Sequence, residues 1–149
     1  MIISYSRVDS AALVPQRANP SDAGADIFAC LSDPVTVYPG ENEVISTGIK
    51  IEIPHGYMIQ VMNRSSIASK RGLLVGAHVI DAGYEGEILI NLHNVTETPQ
   101  EITHGSKIAQ LVMIPVIQFR LTEEDEEDLY FEDIVISDRQ EGGFGSTDT

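Results

Sequence analysis

The feature that most constrains the fold of this chain is an alternation of apolar and polar residues with a period of two. Within residues 43–54, Ile49, Ile51 and Ile53 alternate with Lys50 and Glu52, which is the pattern of a strand with one buried face. Similar runs occupy 35–39, 57–62, 86–95 and 107–119, and turn formers such as those at 39–40, 54–56 and 104–105 separate them. We therefore predict an antiparallel all-β sandwich or barrel.

One short segment predicts a helix. Ser65 or Ser66 is a favourable N-cap, residues 67–71 complete one or two turns, and Gly72 is a favourable C-terminal stop. Arg64 directly precedes this helix. Because helix N-termini present unpaired N–H groups, an arginine with serines at this point predicts a phosphate pocket.

Composition and charge restrict the class of partner. The chain has 149 residues, 42% of them hydrophobic, which is enough for the core of one domain and excludes a disordered protein. Residues 1–120 carry 8 basic and 12 acidic side chains, whereas 121–149 carry 1 and 11. This balance argues against binding to nucleic acid or to an anionic membrane. With a single cysteine, no zinc-type Cys/His spacing and no long apolar run, we expect a soluble, cytoplasmic protein.

The C-terminal part of the sequence differs from the rest. Residues 121–133 are strongly acidic and are typical of a solvated connector, while 140–149 are rich in Gly, Ser and Thr around Phe144. We therefore expect a β domain at 1–138 and a mobile arm at 139–149. Such an arm could fold over a ligand, with Phe144 stacked on a base and Arg139 on a phosphate.

A turn at residues 81–86 contains the candidate catalytic group. Asp81 follows an apolar approach and precedes Ala-Gly-Tyr. A lone aspartate there is commonly an ordinary turn former, but one that is partly desolvated by apolar neighbours and substrate can take a proton from water. Tyr84 is either a strand-end aromatic or a ring that packs on a sugar.

Five segments in this order resemble the five motifs of the trimeric deoxyuridine triphosphatases. They are SDAGADIFA at 21–29, NRSSIASKRG at 63–72, GAHVIDAGYEGEI at 76–88, GSKIAQLV at 105–112 and RQEGGFGST at 139–147. The resemblance implies a jelly-roll-like subunit and a homotrimer, in which the arm of one subunit closes a site formed by the other two. It also implies hydrolysis of dUTP to dUMP and pyrophosphate with Mg²⁺.

The same resemblance implies roles for individual residues. Asp81 matches the aspartate that activates the attacking water, and Tyr84 the aromatic that packs on deoxyribose. The phosphates are expected at Arg64, Ser65, Ser66 and Gln110. The backbone of the motif-three hairpin, which includes Ile80, is expected to bind uracil. The arm is expected to contribute Arg139, Phe144, Gly145 and Ser146. Asp26 is expected to support metal-bound water or the phosphate-binding arginine, and Mg²⁺ to sit on the triphosphate and waters with no direct protein ligand.

Several positions depart from the family pattern. In the base-reading hairpin these are His78, Ala82, Gly83 and Glu85, and elsewhere they are Asn63, Lys107 and Gln140. We expect altered affinity and altered details of uracil recognition, with the chemistry kept.

Two alternatives to this function are considered. Ser65-Ser66 and the stretch 77–83 also resemble the dCTP deaminases, which share this fold, so a deaminase or a bifunctional enzyme is the first alternative. The position of their catalytic glutamate is Asn91 here, and an amide cannot shuttle the proton. The second alternative is a nucleotide-gated protein-interaction module. The presence of Asp81, Tyr84 and Arg139 together favours catalysis.

Overall fold

The computed structural model describes residues 1–130, and its secondary structure is almost entirely β. The strands are β1 (Tyr5–Arg7), β2 (Ala25–Phe28), β3 (Val35–Val37), β4 (Asn42–Ser46), β5 (Ile49–Ile51), β6 (Tyr57–Met62), β7 (Leu73–Val75), β8 (Val79–Ile80), β9 (Leu89–Asn94), β10 (Gln100–Ile102) and β11 (Lys107–Pro115). One helix, α1, spans Ser65–Arg71. The predicted fold class is confirmed.

Every strand pair among these elements is antiparallel, and most partners are distant in sequence. One sheet has the order β2-β11-β6-β8 and another the order β4-β9-β7, while β1 pairs with β5 and β10 with β3. The early strand β2 therefore lies beside the late strand β11. As a result, the first and fourth sequence motifs meet in one sheet.

The core is formed by the inward face of each alternating strand. In β9, Ile90 and Leu92 are fully buried while Leu89 and His93 are exposed. Burying a side chain of this size contributes about 1.5–3 kcal/mol. A shift of one residue in the register would expose this entire face, so the alternation fixes which side of the sheet turns inward.

Two of the strands are shorter than the sequence runs that predicted them. The run 86–95 forms a strand only from Leu89, and the run 107–119 ends as a strand at Pro115.

The predicted serine N-cap is wrong. The N-cap of α1 is Arg64, which has extended backbone and no side-chain cap bond. The two serines instead lie in the first turn of the helix. Gly72 does end the helix with left-handed backbone, φ 58°, and a Cβ there would overlap Cγ2 of Thr96. A glycine is therefore required at this position.

The chain divides into two units, Met1–Gln118 and a second that begins at Phe119. In the described part of the second unit, residues 119–130 are all exposed, and the N–H of Asp128 donates to the carbonyl of Asp125 at 2.9 Å. The predicted boundary at 138 and the arm at 139–149 lie outside the described residues. No helix in the described part of the chain has the length and apolar character needed to cross a membrane.

Candidate active site

Four of the residues predicted to hold phosphate line one small polar pocket. This polar pocket has a volume of about 180 Å³ and is lined by Ala18, Asp22, Gly24, Asp26, Arg64, Ser65, Ser66 and Gln110. The sheet brings its members together, because Gln110 on β11 lies opposite Asp26 on β2 and Met62 on β6. Arg64, Ser65 and Ser66 follow directly where β6 ends.

Asp26 holds two cations at this pocket. Its Oδ1 accepts a bond from Nε of Arg64 at 2.7 Å, and its Oδ2 is 3.1 Å from Nζ of Lys107. Asp26 is only 8% exposed, so these charge-assisted contacts are stronger than they would be in water. The bond to Asp26 uses Nε of Arg64. It therefore does not engage the two terminal amino groups, which are suited to contacting a phosphate.

Gln110 is also fixed in place at the polar pocket. Its Nε2 donates to the carbonyl of Asn63 at 2.9 Å, and Oδ1 of Asn63 accepts the N–H of Val75 at 2.7 Å. A Cβ at Gly24 would overlap the Gln110 side chain. Asn63, one of the departures from the family pattern, thus links the end of β6 to both β7 and β11.

Asp81 and Tyr84 lie in a second pocket. This hairpin pocket has a volume of about 250 Å³ and is lined by Val79, Ile80, Asp81, Tyr84, Ile88 and Leu89. The N–H of Tyr84 donates to the carbonyl of Asp81 at 3.2 Å, and Gly83 adopts φ 83°. Asp81 is therefore an exposed turn former that also lines a pocket of mixed polar and apolar surface, and Tyr84 is 46% exposed beside it.

Sequence reasoning missed the residues that hold this hairpin to the rest of the fold. Oε1 of Glu87 accepts the N–H groups of Thr47 at 3.0 Å and Gly48 at 2.6 Å, and the hydroxyl of Tyr84 donates to the carbonyl of Glu87 at 2.9 Å. Thr47 and Glu87 are 40 residues apart in sequence. No spacing pattern in the sequence connects them.

The two pockets are well separated within one chain. Ile80 pairs with Ile59, so Asp81 lies opposite Met58, and the chain then runs six residues further to Arg64. At about 3.3 Å per residue this amounts to roughly 20 Å along the strand. The structure therefore does not bring Asp81 and Arg64 together. The predicted arm residues Arg139, Phe144, Gly145 and Ser146 lie outside the described residues.

Three of the four histidines make structural contacts in the described chain. Nδ1 of His78 lies 3.1 Å from the carbonyl oxygen of Val61, Nδ1 of His104 accepts the N–H of Leu31 at 3.3 Å, and Nε2 of His93 lies 2.8 Å from Oδ1 of Asn91. Within residues 1–130, no three His, Cys, Asp or Glu side chains are grouped as metal ligands would be. Burial, followed by the nearby carboxylates of Asp9 and Glu87, raises the pKa of the Cys30 thiol.

A polar pocket with one arginine and a separate pocket with a carboxylate and an aromatic ring, on an antiparallel β fold, define an all-β protein with two small candidate ligand sites. The sequence model of the dUTPase family matches residues 10–148. The chain belongs to the dUTPase family.

Individual relatives cover nearly the whole chain. A deoxyuridine 5'-triphosphate nucleotidohydrolase of Chlamydia trachomatis serovar L2 is 39% identical over 145 residues, which are 96% of each chain. The structure of Staphylococcus bacteriophage 80alpha dUTPase with dUPNHPP superposes with a TM-score of 0.84, at 30% identity over 97% of both chains. That study describes phage dUTPases as controlling the transfer of virulence genes by a G protein-like mechanism.

A further structural relative concerns magnesium. The structure of a mutant dUTPase from phage phi11 of S. aureus, described for its coordination of a structural Mg(II) ion, superposes with a TM-score of 0.78. It is 28% identical and covers 85% of this chain and 98% of its own. The predicted family and enzyme class are thus confirmed.

Proposed function

We propose that this protein hydrolyses dUTP to dUMP and pyrophosphate, with the phosphates in the polar pocket and the deoxyuridine in the hairpin pocket. The observation that carries the proposal is the ion pair between Asp26 and Arg64. It orients the arginine while leaving its terminal amino groups for a phosphate, beside the hydroxyl groups of Ser65 and Ser66 and the amide of Gln110. Ile80 and the hairpin backbone contact uracil, and Tyr84 packs on the deoxyribose.

The chemical step begins at Asp81. Its carboxylate takes a proton from a water molecule, whose oxygen then forms a bond to the α-phosphorus of dUTP. The bond from this phosphorus to the bridging oxygen breaks, and pyrophosphate leaves with the electron pair. One water is consumed for each dUTP. A positioned general base of this kind contributes about 10²–10⁴ in rate.

Magnesium enters this proposal as part of the substrate, the Mg²⁺ complex of dUTP. Mg²⁺ prefers oxygen ligands, keeps several waters and commonly binds through substrate phosphates. Asp26 is the more buried of the two acidic residues that line the polar pocket, and both of its oxygens already contact cations, Arg64 and Lys107. We therefore assign Asp26 to holding Arg64, and the ion to the triphosphate oxygens, where it neutralises charge.

The active site is shared between copies of the chain, which we propose form a homotrimer. A base and a phosphate-binding arginine that serve one triphosphate must lie within a few ångströms of it. Within one chain, Asp81 and Arg64 are separated by roughly 20 Å along the strand. The hairpin pocket of one copy therefore faces the polar pocket of a second. Arg139, Phe144, Gly145 and Ser146 of a third copy then close over the phosphates and uracil.

A second candidate function is nucleotide-dependent binding of a protein partner. It is favoured by the phage 80alpha dUTPase, which aligns with 97% of this chain and is described as acting by a G protein-like mechanism. A pull-down with and without a non-hydrolysable dUTP analogue tests it. Capture that depends on the analogue would support a second role, and identical capture in both arms would contradict it.

The deaminase alternative is disfavoured by the residue that replaces the catalytic glutamate. Nδ2 of Asn91 donates to Oδ1 of Asn42 at 2.8 Å, and Oδ1 of Asn91 lies 2.8 Å from Nε2 of His93. These contacts place Asn91 in a polar network on the sheet. Its amide has no proton to exchange as a carboxyl group does.

A substrate panel tests the proposed function. The purified protein with Mg²⁺ is given dUTP, dTTP, dCTP and UTP, and the release of pyrophosphate and ammonia is measured. We expect efficient pyrophosphate release from dUTP and much less from the other three nucleotides. Equal turnover of all four would refute the specificity, and ammonia released from dCTP would establish the deaminase alternative instead.

A further inference from the structure

We propose that Glu87 is a positioning residue that fixes the hairpin at residues 81–87 and thereby sets the preference for deoxyribose over ribose. This inference rests on the proposed function. It concerns how the position of the Tyr84 ring is determined. Glu87 itself reaches the hairpin through its backbone and the body of the fold through its carboxylate.

The carboxylate of Glu87 ties the hairpin to the turn between β4 and β5. Its Oε1 accepts two backbone N–H groups, from Thr47 at 3.0 Å and from Gly48 at 2.6 Å. Bonds in which the acceptor is charged are about twice as strong as neutral ones. Gly48 has φ 67°, and a Cβ there would lie 2.7 Å from Cβ of Ala12. The turn to which Glu87 is hydrogen-bonded therefore has a restricted backbone conformation.

A second pair of bonds runs alongside this contact. The hydroxyl of Thr47, which is fully buried, donates to the carbonyl of Ile88 at 2.6 Å, and the N–H of Ile88 donates to the carbonyl of Ile49 at 2.8 Å. Ile88 is also buried and lines the hairpin pocket. The base of the hairpin is thus joined to the β4–β5 turn by four hydrogen bonds.

The backbone of Glu87 determines where the ring of Tyr84 lies. The hydroxyl of Tyr84 donates to the carbonyl of Glu87 at 2.9 Å, and a Cβ at Gly86 would overlap the hydroxyl end of this ring. The ring therefore lies against the backbone at Gly86 and is held by Glu87. The Tyr84 ring excludes a 2′-hydroxyl by occupying the space that this group would need. Its position therefore matters, because a displacement of about 1 Å at an active site can cost about 10²-fold in rate.

The test compares kcat and KM for dUTP and UTP in the wild type and in Glu87→Ala, Glu87→Gln and the control Glu97→Ala. Glu97 is exposed in the turn after β9. For Glu87→Ala we expect the ratio of kcat/KM for dUTP to that for UTP to fall about 10- to 100-fold. For Glu87→Gln, which keeps a neutral acceptor, we expect a smaller fall of about 3- to 10-fold. The control should keep the wild-type ratio.

Coupling to Tyr84 distinguishes positioning from a general loss of stability. Tyr84→Phe removes the hydroxyl that donates to the backbone carbonyl of Glu87, so its effect on the ratio should be less than additive with that of Glu87→Gln. If Glu87→Ala does not fold, the Gln variant and this cycle decide the question. An unchanged dUTP/UTP ratio in a folded Glu87→Gln variant, or full additivity with Tyr84→Phe, would overturn the proposal. A wild-type protein that fails to hydrolyse dUTP would instead refute the proposed function.

Discussion

Replacing Asp26 by asparagine removes the negative charge that holds two cations at the polar pocket and leaves the side chain nearly the same size. In the native protein Asp26 is 8% exposed and contacts Nε of Arg64 at 2.7 Å and Nζ of Lys107 at 3.1 Å. In Asp26→Asn the two cations remain close together without this counter-charge. We therefore expect lower stability and a misplaced Arg64.

The magnitude follows from the exposure of the three side chains. A hydrogen bond to a charged group contributes about 1.5–3 kcal/mol when it is buried. The side chains of Arg64 and Lys107 are 24% and 41% exposed, so solvent screens part of each contact, and we expect a total loss of about 1–3 kcal/mol in the free energy of unfolding. For a chain of this size, that corresponds to a fall of roughly 3–10 °C in melting temperature.

Activity should fall more steeply than stability. Because the guanidinium group of Arg64 would no longer be fixed in the polar pocket, we expect kcat/KM for dUTP to fall about 10- to 100-fold. Melting temperature, pyrophosphate release and the Mg²⁺ concentration for half-maximal rate are measured at one protein concentration. The control is Asp33→Asn, the same change at an exposed position, which should match the wild type.

Two results would contradict this reasoning. Wild-type stability and wild-type kcat/KM in Asp26→Asn would show that the carboxylate does not organise Arg64. A large rise in the Mg²⁺ requirement, with the melting temperature unchanged, would show that Asp26 supports metal-bound water instead.

Further predictions concern the base, the assembly, the arm and the thiol. Asp81→Asn should lower kcat about 10²- to 10⁴-fold with nucleotide binding kept, and near-normal turnover would reduce Asp81 to a turn former. Mixing that variant with a chain truncated after Asp138 should restore activity, whereas no recovery after proven subunit exchange would refute the shared site. Phe144→Ala should weaken dUTP binding and turnover less than this truncation does. Equal losses in the two variants would contradict this prediction. Cys30, buried with a raised pKa, should react slowly with iodoacetamide at pH 8 until the protein is unfolded; rapid native-state labelling would contradict its burial.

Local sequence patterns predicted the secondary structure where a strand has one buried face. The alternation around Ile49 and Ile51 and at 57–62 corresponds to β5 and β6, because burial of one face leaves a period of two in the sequence. The sequence of β1 shows no such alternation, because Tyr5, Ser6 and Arg7 are all exposed. β1 is a strand because it pairs with β5. Such pairing depends on the partner strand as well as on the segment itself, so the sequence of β1 alone does not predict it.

The sequence by itself determined the kinds of chemical group available, their order along the chain and the family to which the chain belongs. Only the tertiary structure decided which groups meet. It placed Asp26 against Arg64 and Lys107 and joined Glu87 to Thr47. It also kept Asp81, which follows the end of β8, apart from Arg64, which follows the end of β6. These contacts join residues that are tens of positions apart. Strand register and sheet order set their distances, and those follow from burying all the strand faces together rather than from any one segment.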